Sequence, residues 1–487
     1  GKTGGEIETM IRERLLLEAA TCITDGSRRI RGNYGSHQRA LVILSQVLDE
    51  KKIHPTSQEM IQYVLANPNI DLYTDMGIRD ALENLVYRDG MPFESPGYNR
   101  GWVSHLTDVA AALMNVGVNL FETPRFKKLL TWPIDLQIAG QFTPSHGDTG
   151  TMFARGALWS PDVCRIALPH IRDPRMAWVL RSDNSSENGL FDEPLEDLLA
   201  QFSEVEILPI GINTFHFPAY GLANLQCGSD ENRTAVSFFY GSHGAHMHHD
   251  QLNIALFSHD NALLTDIGYP EQTDPFNHKR YGFFNNTIAH NTVVVDAIKQ
   301  GRGPGKLHSF EPNGFAQVVD ASCEGAYSDR VSLYRRINML VEVSPIQSYL
   351  FDVFYVRGGN QHDHSTHGTQ AEFLCNPPLG PVQKKGTLAG PDVPYEHFYD
   401  DPELKDKPLG SVPYGGYRGS GYQFLTGVQR STLKEKALCE WRLTEPKEGQ
   451  PERAWKGISL RAHLVGESEE LIACDGPVQK YNYLPKT

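Results

Sequence analysis

The sequence predicts a multidomain α+β protein in which a helical N-terminal half precedes an antiparallel β-sandwich. Three observations lead to this prediction. The 487 residues exceed the size of one ordinary domain. Apolar residues recur with a helical period up to about residue 202, and after Val205 short runs rich in Val, Phe and Tyr replace them. No long helical pattern returns later. We therefore predict a helical domain over 1–205 and an antiparallel sandwich over 206–487.

The helical half contains several segments with one apolar face. Their connections carry Pro and Gly, as expected between helices. Helical hairpins in series are typical of a bundle, a solenoid or an α/α toroid, and the pattern alone leaves these open. The apolar positions are Ile7, Ile11, Leu15 and Cys22 in the first segment, Leu41, Leu44, Val47 and Leu48 in the second, Ile78, Ala81, Leu82 and Leu85 in the third, and Trp102, Leu106, Val109 and Leu113 in the fourth.

Composition excludes some functional classes. The formal net charge of −14 argues against a nucleic-acid partner, which needs a basic face. No run approaches the roughly 20 apolar residues of a membrane span. The first residues, "GKTGGEIETM", do not have the basic and apolar parts of a signal peptide. The seven cysteines include no CxxC pair, so zinc-finger spacings are not expected.

One stretch, "GSHGAHMHHDQLNIALFSHDNALLTDIGYP", concentrates histidines at the entrance to a predicted β-hairpin. If it enters a strand, His246, His248 and Asp250 point to one side. Asp266 ends the next strand and can lie beside His248, while His290 begins a further strand in "IAHNTVVVD". Two histidines and an aspartate suit Zn²⁺ or a similar divalent ion. The alternative is that these histidines only hydrogen-bond loops.

A second group lies in the helical half. "RGNYGSHQRA" places Asn33 in a turn before a helix that starts near Ser36, with His37, Gln38 and Arg39 at its beginning. "DGMPFESPGYNRGW" places Glu94, Tyr98 and Arg100 in a Pro- and Gly-rich loop. The plainer interpretation is that Asn33 caps the helix and that Tyr98 packs.

Taken together, these segments resemble the heparinase II/III-like polysaccharide lyases, which include glycosaminoglycan lyases and several alginate lyases. The resemblance rests on "GNYGSHQ", "ESPGY", "HMHHDQLNIALF…LLTDIGY", "AHNTVVVD" and "FDVFYVRGGNQHDHSTHG". It implies an α/α toroid joined to an antiparallel β-sandwich. Relatives carry more helical hairpins before the Asn33 segment and more sandwich after "LRAHLVG", so we expect an incomplete toroid in a chain trimmed at both ends.

The resemblance also implies a reaction, the β-elimination of uronic-acid polymers. Asn33 and His37 would neutralise the uronate carboxylate, and Tyr98 and His246 would transfer protons. In a syn elimination Tyr98 serves as base and acid, whereas in an anti elimination His246 or His37 is the base. A structural divalent ion, Zn²⁺ first with Mn²⁺ or Ca²⁺ as alternatives, would be bound by His248, Asp266 and His290, with Asp250 orienting a ligand. The candidate substrate-binding residues are Gln38, Arg39, Glu94, Arg100 and Arg280.

The sequence leaves several interpretations of the function open. A glycosaminoglycan is favoured over alginate as the anionic polysaccharide partner. A non-catalytic carbohydrate-binding protein would not need the whole set of catalytic residues. A glycoside hydrolase would need two paired carboxylates, and nothing pairs Glu94 with Asp108. The resemblance further suggests a periplasmic or secreted protein and a homodimer.

Overall fold

We describe the protein from a computed structural model that defines residues 2–26, 32–48, 53–68, 70, 72–150, 156–182, 194–202, 210–241, 244–269, 273–368, 371–433, 435–443, 457–466 and 469–477. The chain divides into two compact units. The helical unit comprises Gly1–Gln137 and Ala157–Gly211, and the strand unit comprises Ile138–Gly156 and Ile212–Thr487. The predicted boundary between residues 205 and 206 lies in segment 203–209, outside the described residues.

The helical unit is built from short helices joined by turns. The first two are connected by a π-helical segment, Ile11–Leu17. The helices are α1 (Gly4–Met10), α2 (Glu18–Asp25), α3 (Ser36–Val47), α4 (Ser57–Ala66), α5 (Ile78–Asn84), α6 (Pro96–Met114), α7 (Pro124–Asp135), α8 (Pro161–Ile171), α9 (Pro174–Ser182) and α10 (Leu195–Ala200). None of the described helices is long and apolar enough to cross a membrane.

The apolar periodicity predicts the core well in α6 and poorly in the first segment. Trp102 and the three apolar residues that follow it at helical spacing are fully buried, as predicted. By contrast, Ile7, Ile11 and Leu15 are 47%, 47% and 62% exposed. The reason is that the packing of this segment on α3 and α4 is made by α2, which buries Cys22. The segment is helical as predicted, but its predicted apolar face is wrong.

The strand unit contains antiparallel sheets. One sheet has the order β1-β2-β3-β4-β5, and a second has the order β10-β9-β8-β7. Smaller sheets pair β11 with β6, β14 with β12 and β15, and β13 with β16. The strands are β1 (Phe215–Phe217), β2 (Leu222–Cys227), β3 (Thr234–Phe239), β4 (Asn253–Ser258), β5 (Asn261–Leu264), β6 (Val293–Val295), β7 (Lys306–Glu311), β8 (Ala316–Ser322), β9 (Val331–Ser344), β10 (Gln347–Gly358), β11 (His362–His364), β12 (Ala371–Asn376), β13 (Thr426–Thr432), β14 (Lys436–Leu443), β15 (Ser459–Val465) and β16 (Glu470–Asp475).

The two larger sheets share one hydrophobic core. Leu225, Phe238 and Ile254 of the five-stranded sheet join Val319 and Tyr334 of the four-stranded sheet in a single buried cluster. Alternation along each strand brings the apolar side chains of both sheets to this layer. The predicted order, a helical half followed by antiparallel sheets packed as a sandwich, is therefore confirmed.

The other face of the five-stranded sheet is also covered, which explains why β2 to β5 are buried throughout. Ile138 and Phe142 pack there against Ala235, Ala255 and Phe257. This contact groups residues 138–156 with the strands, although they interrupt the helical unit in sequence. The segment continues directly into the residues of the candidate site.

Candidate active site

The histidine-rich stretch is a loop, and not the strand that its alternation predicted. Residues 244–252 form turns and bends, and β4 begins at Asn253. His246 has a left-handed backbone with φ of +60°, which non-glycine residues rarely adopt. His246, His248 and Asp250 are therefore not placed by strand alternation. His243 lies outside the described residues.

Asp148 holds the two histidines of this loop. Its two carboxylate oxygens lie 3.0 Å from Nδ1 of His246 and 3.1 Å from Nε2 of His248. Arg280 donates to the same carboxylate at 3.1 Å, and the backbone N–H of Asp148 donates to the carbonyl of His246 at 2.8 Å. Burial would raise the pKa of Asp148, but hydrogen bonds from His246 and His248 outweigh it and lower the pKa. Asp148 is therefore an anion that orients both imidazoles.

Within this group His246 is the member that reaches the surface. Its side chain is 26% exposed, whereas the side chains of Asp148 and His248 are buried. An imidazole that is anchored on one nitrogen and accessible to solvent can exchange a proton with a bound molecule.

The three predicted metal ligands converge. One ligand atom each from His248, Asp266 and His290 lies within 4.8 Å of the others, and all three residues are buried. Nε2 of His248 is directed at Asp148, while its Nδ1 has no hydrogen-bond partner among the described residues. A metal-binding histidine commonly donates its other nitrogen to a carboxylate in this way. The residues therefore fit a divalent cation with imidazole and carboxylate ligands.

Asp266 and His290 are strongly coupled. Nδ1 of His290 lies 3.1 Å from Oδ2 of Asp266, which also accepts a hydrogen bond from Asn253 at 2.7 Å. Burial disfavours the charge on each residue, but the opposite charge outweighs it, so the pKa of Asp266 is lowered and that of His290 is raised. If a metal cation replaced the proton of His290, the negative charge of Asp266 would still face a positive charge.

The turn after Asp266 explains why a glycine follows it. The N–H of Gly268 donates to Oδ1 of Asp266 at 2.9 Å. Gly268 has φ of +70°, and a Cβ there would lie 2.5 Å from the carbonyl oxygen of Thr149. The close approach lets the segment that carries Asp148 pack against Asp266.

A buried arginine fixes the loops on either side of the cluster. Arg336 of β9 pairs with Asp352 at 2.8 and 2.7 Å. It also donates to the backbone carbonyls of Leu252 at 2.7 Å and Asn291 at 2.5 Å. These carbonyls lie next to the histidine loop and to His290, so β9 positions both segments.

In the helical unit, the predicted helix start at Ser36 is confirmed, and Asn33 lies exposed in the turn before it. The helix N-cap is Gly35, so Asn33 does not cap it by its side chain. Nδ1 of His37 lies 3.8 Å from a carboxylate oxygen of Asp75, beyond hydrogen-bond distance.

Tyr98 lies in the first turn of α6, and not in the loop predicted for it, because Pro96 starts the helix. Trp102 follows one turn later on the same face and stacks on Tyr34 with ring centroids 3.9 Å apart. Since Tyr34 is the neighbour of Asn33, this contact brings the start of α6 close to the start of α3. Tyr98 is half-buried and Asn33 is exposed.

Two predicted substrate-binding residues, Gln38 and Glu94, make structural contacts inside the helical unit. Gln38 is buried, and its amide accepts from the N–H of Gly35 at 3.1 Å and donates to the carbonyls of Thr74 and Met76 at 3.0 and 2.9 Å. Glu94 is buried and accepts hydrogen bonds from other side chains, Tyr73 at 2.8 Å and Trp102 at 2.5 Å. These hydrogen bonds engage the polar atoms of both buried side chains and argue against a sugar contact, so the substrate-binding role of Gln38 and Glu94 stays a prediction without support in their contacts.

The predicted arginines differ in their surroundings. Arg39 is exposed and pairs with Asp108 at 2.8 Å, so the carboxylate of Asp108 is engaged by an arginine. Arg100 is exposed on α6. Arg280, through Asp148, belongs to the histidine cluster of the strand unit.

Sequence reasoning missed Asp148 and His146. Both belong to "SHGDTG", about 100 residues before the histidine loop, and their relation to it is set by tertiary packing. The sequence signal that could have identified them is a histidine and an aspartate within a Gly-rich turn. Nδ1 of His146 lies 4.0 Å from Oδ2 of Asp250, and one potential ligand atom of His146 lies within 4.8 Å of one of Asp266.

Comparisons with known proteins agree with the resemblance. Residues 210–344 match the family model described as "Heparinase II/III-like, C-terminal". No curated protein matches the sequence. A solved heparinase III with methylated lysines superposes with a TM-score of 0.50 at 12% identity, covering 98% of this chain and 69% of that one. A mutant heparan sulfate lyase HepC from Pedobacter heparinus superposes with a TM-score of 0.48 at 12% identity, covering 93% of this chain and 60% of that one. The resemblance to the heparinase II/III-like group is thus confirmed, and the heparinase III shares the fold.

Proposed function

We propose that the protein is a polysaccharide lyase that cleaves a uronic-acid-containing glycosaminoglycan by β-elimination. The observation that carries the proposal is the arrangement in the strand unit, where Asp148 anchors an accessible His246 beside the buried group of His248, Asp266 and His290. This arrangement lies largely within the segment that matches the heparinase II/III-like family. An anionic sugar also agrees with the presence of Arg280 beside His246.

The proposed reaction gives each candidate catalytic residue a role. The C5 proton of a uronate is a weak acid while the neighbouring carboxylate is charged. Asn33 and His37 neutralise that carboxylate, so that negative charge can develop on it. Tyr98 and His246 remove the C5 proton and protonate the leaving oxygen. Arg280 both holds Asp148 and adds positive charge near His246, which favours acidic or sulfated sugars.

A divalent cation, Zn²⁺ before Mn²⁺ or Ca²⁺, would be held by His248, Asp266 and His290. When bound, it would supply rigidity and positive charge to the histidine loop. His248 would then have both ring nitrogens engaged, one by the cation and one by Asp148. We further expect a periplasmic or secreted protein, because polymeric glycosaminoglycans are met outside the cytoplasm.

One assay tests the proposal. The protein is incubated separately with heparan sulfate, hyaluronan, chondroitin sulfate and alginate, and the ultraviolet absorbance of the unsaturated uronate is followed. Activity on a glycosaminoglycan supports the proposal, and activity on alginate alone would move the substrate to that polymer. New reducing ends without the absorbance would indicate hydrolysis, and binding without cleavage would indicate a carbohydrate-binding protein.

A further inference from the structure

Asp250 has an environment that the first cation site does not explain. Its side chain is fully buried, and neither carboxylate oxygen has a hydrogen-bond partner in the described part of the chain. A buried carboxylate without partners is strongly unfavourable in a protein interior. Such groups are normally paired with a cation or coordinate a metal. Orienting a ligand as a hydrogen-bond acceptor, the role expected for Asp250 from the sequence, has no support in its contacts.

His146 faces this carboxylate from another segment. Its Nε2 lies 2.9 Å from the hydroxyl of Ser237, and its Nδ1 lies 4.0 Å from Oδ2 of Asp250. That Nδ1 is buried and has no hydrogen-bond partner among the described residues. When Nε2 donates to Ser237, Nδ1 carries the lone pair, which leaves it able to coordinate a metal.

Asp266 completes the group. One ligand atom each from His146, Asp250 and Asp266 lies within 4.8 Å of the others. We propose that these three residues bind a second divalent cation, beside the one held by His248 and His290, with the Asp266 carboxylate shared between the two. A carboxylate has two oxygens, so it can coordinate one ion with each.

The donor sets of the two sites differ. The first site offers two imidazole nitrogens and one carboxylate, and the second offers one imidazole and two carboxylates. Carboxylate-rich sites suit harder ions such as Mn²⁺, and imidazole-rich sites suit Zn²⁺. The second site is therefore expected to accept Mn²⁺ more readily than the first. The competing account is a single ion in the first site, with Asp250 acting only as a nearby compensating charge.

Metal stoichiometry separates these accounts without an activity assay. The full chain is stripped with a chelator, titrated with Zn²⁺ alone or Mn²⁺ alone, and analysed by native mass spectrometry and elemental analysis. We expect two ions per chain in the wild type, one in Asp250→Asn and one in His290→Ala. Asp320→Asn, which removes a buried carboxylate that pairs with Arg335, serves as the control and should keep two.

A wild-type chain that saturates at one ion or none overturns the proposal, as does an Asp250→Asn variant that still binds two. Should Asp250→Asn fail to fold, His146→Gln tests the same site, and the wild-type count remains decisive. The outcome is independent of lyase activity, since an inactive chain with two ions would reject the proposed function and keep the second site.

Discussion

Nδ1 of His246 lies 3.0 Å from Oδ2 of Asp148, although the two residues are 98 positions apart in the chain. The same carboxylate contacts His248 with its other oxygen. One aspartate thus couples the proposed proton-transfer residue to a proposed metal ligand. The contact engages Nδ1 of His246.

The first prediction concerns this aspartate. Asp148→Asn keeps the size of the side chain but removes the charge that two imidazoles and Arg280 share. We expect kcat/KM to fall about 10–100-fold and metal affinity to weaken by a similar factor, as is typical when a residue supporting metal ligands is changed. Steady-state kinetics and competition with a chelator measure the two effects. Unchanged values for both would show that the carboxylate does not orient the histidines.

The second prediction concerns the proposed phenol. Tyr98→Phe removes only a hydroxyl at the start of α6, so we expect the melting temperature to stay close to that of the wild type. The rate should fall by about 10²–10⁴-fold, the usual contribution of a general acid or base. Tyr87→Phe, at another half-buried tyrosine of the helical unit, is the matched control. Equal activity of the two variants would remove Tyr98 from the mechanism.

The third prediction tests the structural role of Glu94. Tyr73 and Trp102 donate to different oxygens of Glu94, and Glu94→Gln replaces one of these two acceptors by an N–H₂ group. We expect the free energy of unfolding to fall by about 1–3 kcal/mol, the cost of leaving a buried donor unsatisfied. Denaturant unfolding measures this change. A raised KM with unchanged stability would instead restore the substrate contact expected from the sequence.

The fourth prediction concerns the first cation site. His248→Ala should lower both activity and the melting temperature, and it should abolish most of the destabilisation that a chelator causes in the wild type. His249→Ala is the control, because this buried neighbour bonds to the carbonyl of Gln300 and belongs to neither group of candidate ligands. It should lose stability while keeping its response to the chelator. Identical chelator responses in wild type and His248→Ala would exclude a cation at His248.

Much of the site follows from local sequence patterns. His-x-His followed by a D-x-G turn and a later His-Asn-Thr was enough to select His248, Asp266 and His290, which do converge. The mode of convergence was predicted incorrectly. Strand alternation was expected to align His246 with His248, but the loop turns through a left-handed backbone at His246 and Asp148 aligns the pair. Alternation arguments fail where Gly-rich turns replace the extended chain.

Gln38 and Glu94 show a second limit of prediction from the sequence. Both are polar residues beside proposed catalytic ones, and nothing in the sequence distinguishes a buried acceptor from a sugar ligand. Their burial depends on Tyr73, Thr74 and Met76, which lie between the two motifs along the chain and fold back on both of them.

By itself, the sequence determined the change from helical to strand periodicity, the buried face of α6 and the residue types able to bind a cation or move a proton. These are properties of neighbouring residues, and the hydrophobic effect and side-chain chemistry act on them locally. The tertiary structure decided which polar groups became partners. Asp148, His146 and Arg336 reach the cluster from distant segments, because a buried charge is stabilised by whichever counter-charge or donor the folded chain brings beside it.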